Sequence, residues 1–390
     1  MTNRRRQVVA TMAIAALVCG LVTVATLTGT RERASAVQLL SGDAWLANRL
    51  AGTVTHVNGY TKRADPAVRV GSPGDPFTVV QRPDGAYMLD TRTGELTRVG
   101  DDGLGVRVSS QVPGSPSALR VISMGAVTWV IDTSSGIVQR LNPGSLAPTG
   151  IQIPLGGPVG STVIDASGDL WAARPGGGVV DQVSSSDGSV HQVRVGQAGD
   201  LVQLVVTSAG TWAVDPQAGD VFSLTNPSAA PLRIPQTGQQ VPQPVVASTP
   251  AVPDVAVVSG AALSDVNTAT GVSSSVTGAR YAAATQAVIA NGRVYLLDGA
   301  SQQIDIVGLG PLRPVGSVAV PAGSDQLLAH DNLVFVNDDG SPAAAVVDAA
   351  GQVTDISKYQ VAPTMNGPSP RAAPGGNAAP APNALPVPGP

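Results

Sequence analysis

The chain has three imidazoles, His56, His191 and His330, and these are the first residues to test for chemistry. Near neutral pH an imidazole can carry a proton or a metal. A site needs several such groups brought to one place, and these three lie at unrelated offsets within a repeating pattern. No shared metal or acid-base centre is therefore expected. Cys19 is the single thiol and lies in the N-terminal apolar run. That excludes an internal disulfide and any cysteine metal site. The acids are 25 Asp and 2 Glu, so carboxylate chemistry here means aspartate chemistry. Asp165 and Asp169 in DASGDLW, and the NDDGS run at Asn337 to Ser341, offer oxygen ligands of the kind calcium takes. Two carboxylates are few for a calcium cage, and Asp and Gly are the residues tight turns require. Both segments read as hairpin turns. No serine nucleophile elbow, HExxH or phosphate-binding glycine loop is present. No catalytic residue, cofactor-binding residue or metal ligand is assigned.

The elements that hold these residues are announced by the aromatics. Trp45, Tyr87, Trp129 and Trp171 follow one another at intervals of 42 residues, and Trp212 comes 41 later. Tyr295 and Phe335 are 40 apart, and the gap of 83 from Trp212 to Tyr295 is two periods with one aromatic missing. Seven of the twelve Phe, Tyr and Trp residues fall on this ladder. A strand-rich period of about 40 to 45 residues is the signature of a β-propeller, each repeat forming one four-stranded blade. Each aromatic sits among apolar neighbours, as a wedge between adjacent blades rather than a ligand-stacking surface.

Around each anchor the pattern is a short apolar strand, an Asp or Asn, a small polar turn and a second strand: AYMLDTRTGELTRVG from Ala86, TWVIDTSSGIVQRLN from Thr128, TWAVDPQAGDVFSLT from Thr211. This is hairpin chemistry. A leading strand precedes each anchor, as in FTVVQRPDG from Phe77, and a mixed strand follows, as in GVRVSSQVP from Gly105. The Val-Arg-Val runs around Arg69, Arg107 and Arg194 read as charged guards on outer strands, blocking edge-to-edge pairing. The sixth repeat lacks its aromatic, and interpolation places its anchor at Val255. The expected fold is all-β: a propeller over residues 36–361 with about eight four-stranded blades, seven being the second choice. AVQLL from Ala36 and VTDIS from Val353 supply the first strand of the first repeat and the last strand of the eighth.

Residues 1–7 hold Arg4, Arg5 and Arg6, and residues 8–30 are uncharged. A run of this length crosses a bilayer as a helix. The arginines keep the N-terminus cytoplasmic and the propeller outside. Ala34-Ser35-Ala36 also offers a cleavage site, so a retained anchor and a cleaved signal are both open, the anchor being the first reading. From residue 34 onward, 18 basic and 26 acidic residues give a formal charge of −8, which argues against nucleic acid as partner. Residues 362–390 are rich in Pro, Ala and Gly, the composition of a disordered or polyproline-type linker.

AVQLLSGDAWLANRLAGTVTHVNG from Ala36 and RVGSPGDPFTVVQRPDGAYMLDTRTGEL from Arg69 resemble the membrane-anchored actinobacterial proteins known as fibronectin type III domain-containing. In that family a short anchor precedes a propeller of YVTN or NHL-like repeats, followed by a proline-rich linker and fibronectin modules. The resemblance covers anchor, propeller and linker, and no fibronectin module stands in these 390 residues. It implies a cell-envelope location and binding rather than a defined activity. The expected function is a monomeric, membrane-anchored extracytoplasmic propeller that scaffolds an envelope protein or polymer without catalysis or cofactor. The alternatives are a lactonase- or hydrolase-type propeller with a metal in its channel, and a sensor domain working with a membrane partner.

Overall fold

The computed structural model describes residues 42–100, 104–235 and 244–359. They form eight antiparallel sheets in sequence order, and the only helical pieces among the described residues are 3-10 turns at Pro116–Ala118 and Ala279–Ala283. The eight-blade expectation holds. Blades 2 to 8 each contain four consecutive strands. Blade 2 is typical, with Phe77–Arg82, Gly85–Asp90, Glu95–Gly100 and Gly105–Gln111 running from the inside outward. First strands of successive blades touch one another around the channel, and the fourth strands form the exposed rim.

Blade 1 differs. Its Asp43–Asn48 and Thr53–Asn58 hairpin pairs on its outer side with two short pieces, Arg63–Ala64 and Val68–Arg69. The leading strand expected at residues 36–40 lies outside the described residues, as do the expected anchor at 8–30 and the tail at 362–390. No helix among the described residues is long and apolar enough to cross a membrane. Blade 8 ends with its own fourth strand, Val353–Ser357, as the sequence predicts.

Eight apolar clusters fill the eight blade-to-blade interfaces. The cluster of Ala44, Leu46 and Val57 with Leu333, Phe335 and Val346 joins blade 1 to blade 8 and closes the ring. Every ladder aromatic faces forward into the next blade: Trp45 and Ala86 share one cluster, Tyr87 and Val130 another. Tyr87, Trp129, Tyr295 and Phe335 are fully buried, so the wedge reading is correct. On the third strand each ladder residue pairs with the residue eleven later, as Trp129 does with Arg140 and Tyr295 with Ile306.

Blade 6 corrects the sequence reading. Val255 faces backward, packing with Trp212 against blade 5, so it is not the ladder position. That position is Ala256, which faces forward and pairs with Asp265, only nine residues later. The blade 6 hairpin turns on Gly260 and Ala261 alone, two residues fewer than its counterparts. A two-residue deletion leaves the strands paired but shifts the count along the chain. Tyr281, from the 3-10 turn leading into blade 7, is buried in this interface and supplies the absent aromatic.

Candidate functional site

Three residues after each ladder position the chain turns at one face of the ring. The residues there are Asn48, Asp90, Asp132, Arg174, Asp215, Ser259, Asp298 and Asp338. The acids and Asn48 cap their own turns through Oδ1. Asp90 accepts from the N–H of Arg92 at 2.7 Å and Thr93 at 3.0 Å, and Asp215 from Gln217 and Ala218, both at 2.9 Å. Short Asx turns of this kind satisfy backbone donors that the hairpin leaves open. In blade 3 the second oxygen of Asp132 also accepts, from Ser115 N–H at 3.0 Å. Burial opposes ionisation of Asp132, but hydrogen bonds from the Ser134 hydroxyl and from the backbone of Ser115, Ser135 and Ser134 outweigh it and hold the carboxyl at about 2. In blade 4 the capping role is replaced by an ion pair, Arg174 Nε to buried Asp181 at 2.7 Å.

The same face opens onto the channel. The first strands begin there with Thr78, Arg120, Ser161, Gln203, Val245, Gln286 and Gln326, each two residues before the partner of the ladder position. Four of them reach the following blade. Arg120 donates to Gly160 O at 3.1 Å, Ser161 Oγ accepts from Leu204 N–H at 2.9 Å, and Gln203 donates to Pro244 O at 3.2 Å. Gln286 accepts from Leu327 N–H at 2.9 Å and donates to Asp325 O. A cavity of about 620 Å³ at this mouth is lined by Gln203, Thr285 and Gln286. A second, of about 230 Å³, is lined by Arg49, Thr78, Asp325, Gln326 and Asp339.

Where blade 8 meets blade 1 the face carries a buried cation. Lys358 is 1% exposed and donates to Ala47 O and Asn337 Oδ1, both at 2.7 Å, and to Asp338 O. An ammonium has three donors, and all three are used. Burial lowers its pKa to about 8, against the opposing charges of Asp338 and Asp325. Burial raises the pKa of Asp325, with Arg49 opposing. Arg49 and Asp339 form an ion pair across the same seam, and Lys62 pairs with Asp348 at 3.4 Å. Both lysines of the chain thus stand at the ring closure.

The histidines remain apart. His56, on the third strand position of blade 1, has Nδ1 2.7 Å from Asp65 and Nε2 3.4 Å from Asp43, beside the Trp45 ring. It ties adjacent strands together. His191 is exposed on the fourth strand of blade 4, and His330 ends the first strand of blade 8. Among the described residues no group of three His, Cys, Asp or Glu side chains is placed to hold a metal.

Asp165 and Asp169 form the expected turn. Asp165 accepts from Ser167 and Asp169 N–H and, at 2.7 Å, from the Trp171 indole; Asp169 accepts from Ser185 N–H and the Gln182 amide. NDDGS also forms a turn, and its Asn337 and Asp338 additionally hold Lys358, which sequence reasoning missed. Arg69, Arg107 and Arg194 lie on outer strands, as expected for edge guards. Asp265, also missed, is buried opposite Ala256 and is pushed up to about 7 by burial and by the charge of Asp254.

Neither a family profile nor a curated protein sequence matches the chain. Solved structures with the same architecture are numerous. The dihydro-heme d1 dehydrogenase NirN, solved with DHE, has a TM-score of 0.58 at 13% identity, covering 81% of this chain and 74% of that one. BamB from Moraxella catarrhalis has a TM-score of 0.53 at 17% identity, covering 80% of this chain and 90% of that one. AztD from Citrobacter koseri has a TM-score of 0.51 at 9% identity, covering 72% and 84%. At such identities the likeness establishes the β-propeller fold and leaves function to the residues.

Proposed function

We propose that the ring is a non-catalytic scaffold of the cell envelope, anchored through residues 8–30, that binds a protein or polymer on its hairpin face. The carrying observation is the set of polar turn tips around one channel mouth, where Asp90, Asp298 and Asp339 are partly exposed while Asp132, Asp215 and Asp338 are buried within their turns. Apolar interfaces and channel-mouth hydrogen bonds fix those turns on a rigid ring, so a partner meets a preformed surface. Acidic turns favour basic or hydroxyl-rich partners and reject anionic ones.

A photo-crosslinking residue placed at Ala300 on the hairpin face, and in a second variant at Ser186 on the opposite face, tests this in intact envelopes. Adducts are expected from position 300 only, weakening as salt is raised. Protease shaving of intact cells is expected to digest the ring and leave a membrane-held stub. Turnover in a metal-supplemented esterase, lactonase and glycosidase panel, lost on replacing Asp325 or Asp339, would overturn the scaffold in favour of a propeller enzyme.

A further inference from the structure

Blades 2 and 3 each carry an arginine opposite the ladder aromatic, Arg98 paired with Tyr87 and Arg140 with Trp129. In blade 2 the charge is met within the blade. Arg98 Nη2 lies 2.8 Å from Asp84, which stands three residues before the ladder position. In blade 3 that place is taken by Ala126. Arg140 keeps one neutral contact, from Nη1 to Ser185 O in blade 4, and its Cζ lies 5.9 Å from the centre of the Trp129 ring. Its Nε is buried without a hydrogen-bond partner. Among the described residues no carboxylate pairs with Arg140. The cation of blade 2 is thus repeated in blade 3 without its counter-ion.

This cation borders a groove. Between the fourth strand of blade 3, Pro148–Pro154, and the turn at 185–188 of blade 4 lies a cavity of about 320 Å³, lined by Arg140, Ile151, Ile153, Ser186 and Asp187 among others. The strand bulges where it passes Arg140. Val138 pairs with Ile153 and Arg140 with Thr149, so the outer strand advances four residues while its neighbour advances two. Bulges re-aim side chains, and here Ile151 stands 80% exposed at the groove. Gly150 has a φ of 72°, and no atom lies within 4 Å of where its Cβ would stand, so the wall stays open. Asp187 is the acid of the lining. It is exposed, and it accepts from Ser189 N–H at 2.9 Å, so water weakens its repulsion of an anion.

We infer that this groove binds a short apolar carboxylate, with its acid group on the Arg140 guanidinium and its hydrocarbon part against Ile151 and Ile153. Arginine-to-carboxylate hydrogen bonds are among the stronger ones, and Arg140 has no internal acid to compete for it. The stack on Trp129 and the bond to Ser185 O fix the guanidinium in place. The volume lies at the lower end of ligand pockets, which fits a small molecule rather than a polymer. An inorganic anion would meet the charge and leave both isoleucines in water. The groove lies on the face away from the hairpin turns, so the inference stands apart from the scaffold reading.

The test is calorimetric titration of the full chain with sodium hexanoate, beside butyrate, hexanamide and phosphate, at neutral pH and constant ionic strength. A one-to-one isotherm with hexanoate is expected. Butyrate should bind more weakly by about fourfold for each methylene removed. Hexanamide, which lacks the charge, should bind at least about tenfold more weakly. Arg140→Gln should weaken hexanoate binding by about tenfold to a hundredfold. Because Arg140 also ties blade 3 to blade 4, two variants at exposed positions separate loss of the site from loss of the fold. Ala126→Asp gives Arg140 the counter-ion that Arg98 has, and should weaken hexanoate binding without lowering the melting temperature. Ile151→Ser should erase the gain from butyrate to hexanoate. A wild type that gives no heat with hexanoate would overturn the site. So would hexanamide or phosphate binding as tightly as hexanoate, or undiminished binding in Arg140→Gln or Ala126→Asp.

Discussion

Asp132 in blade 3 and Asp215 in blade 5 stand three residues after Trp129 and Trp212 and cap hairpins of the same length. Both use Oδ1 to hold two backbone N–H groups of their turn. They differ in what the preceding loop brings to Oδ2. Blade 3 brings the N–H of Ser115, and Asp132 titrates at about 2. Blade 5 brings the carboxylate of Asp200, and burial, with that charge added, raises the pKa of Asp215. The turn residue is shared, and the sign of its electrostatic contribution follows from burial together with what the turn and the preceding loop bring: the Ser134 hydroxyl and Ser115 N–H in blade 3, the charge of Asp200 in blade 5. A fold built from repeats can therefore keep its turns uniform and vary their chemistry through the loops between blades.

The largest effects expected from this comparison lie in the wedges. Trp129→Ala should destabilise by about 3–5 kcal/mol, as large aromatic truncations in cores do. Trp129 Nε1 donates to Gly168 O at 3.1 Å, whereas the buried Nε1 of Trp212 has no partner. Trp212→Ala should therefore cost about 1 kcal/mol less, the net worth of a hydrogen bond. Urea denaturation of the two variants measures the difference, and equal losses would break the distinction.

Next in size is the opposed response of the two aspartates. Asp132→Asn replaces an acceptor facing Ser115 N–H with an amide group and should cost about 1–2 kcal/mol at neutral pH. Asp215→Asn keeps its turn-capping oxygen and loses only a repelled charge, so stability should hold or rise by up to about 1 kcal/mol.

Their pH dependences run in opposite directions. The Asp132 contribution is present above the unfolded value of 3.8 and is lost as pH falls through about 2. The Asp215 group favours the folded state fully below 3.8 and loses that contribution as pH rises through its raised folded value. Melting curves should show the advantage of Asp215→Asn shrinking as pH is lowered towards 4, while the penalty of Asp132→Asn persists there. Parallel profiles for the two variants would contradict the assigned causes.

The smallest effect sharpens the comparison with blade 2. Gln217→Arg places at blade 5 the cation that Arg92 supplies to Asp75 and Asp90, and should stabilise by about 0.5–1 kcal/mol. Urea denaturation of the variant beside wild type measures the gain, and no gain would break the parallel with blade 2.

The ring itself was legible because large aromatics are scarce here and their spacing survives in seven repeats. The sixth misled because a two-residue turn shortens its hairpin, which turns Val255 to the wrong side while Tyr281 fills the gap from outside the repeat. The turn acids were also legible, since Asx turns are local. Their partners were not: Asp200 meets Asp215 only once the strands of blade 5 are paired, and Lys358 meets Ala47 only when blade 8 closes on blade 1. One signal was available. The RVGxxGD stretches ending at Asp75 and Asp200 repeat in the sequence, and attention to their arginines as edge guards passed over the acids that follow.

The placement of both lysines at the junction of blades 1 and 8 gives the ring a built-in clock. A protease that cuts only after lysine meets two bonds in this chain, following Lys62 and Lys358. Lys62 is partly exposed, but Lys358 is sealed between the two blades, so its bond becomes cleavable only when the junction parts. Loosening of any other blade leaves no lysine to cut. When reclosing is fast relative to cleavage, the digestion rate at Lys358 reports the free energy of opening at that junction alone.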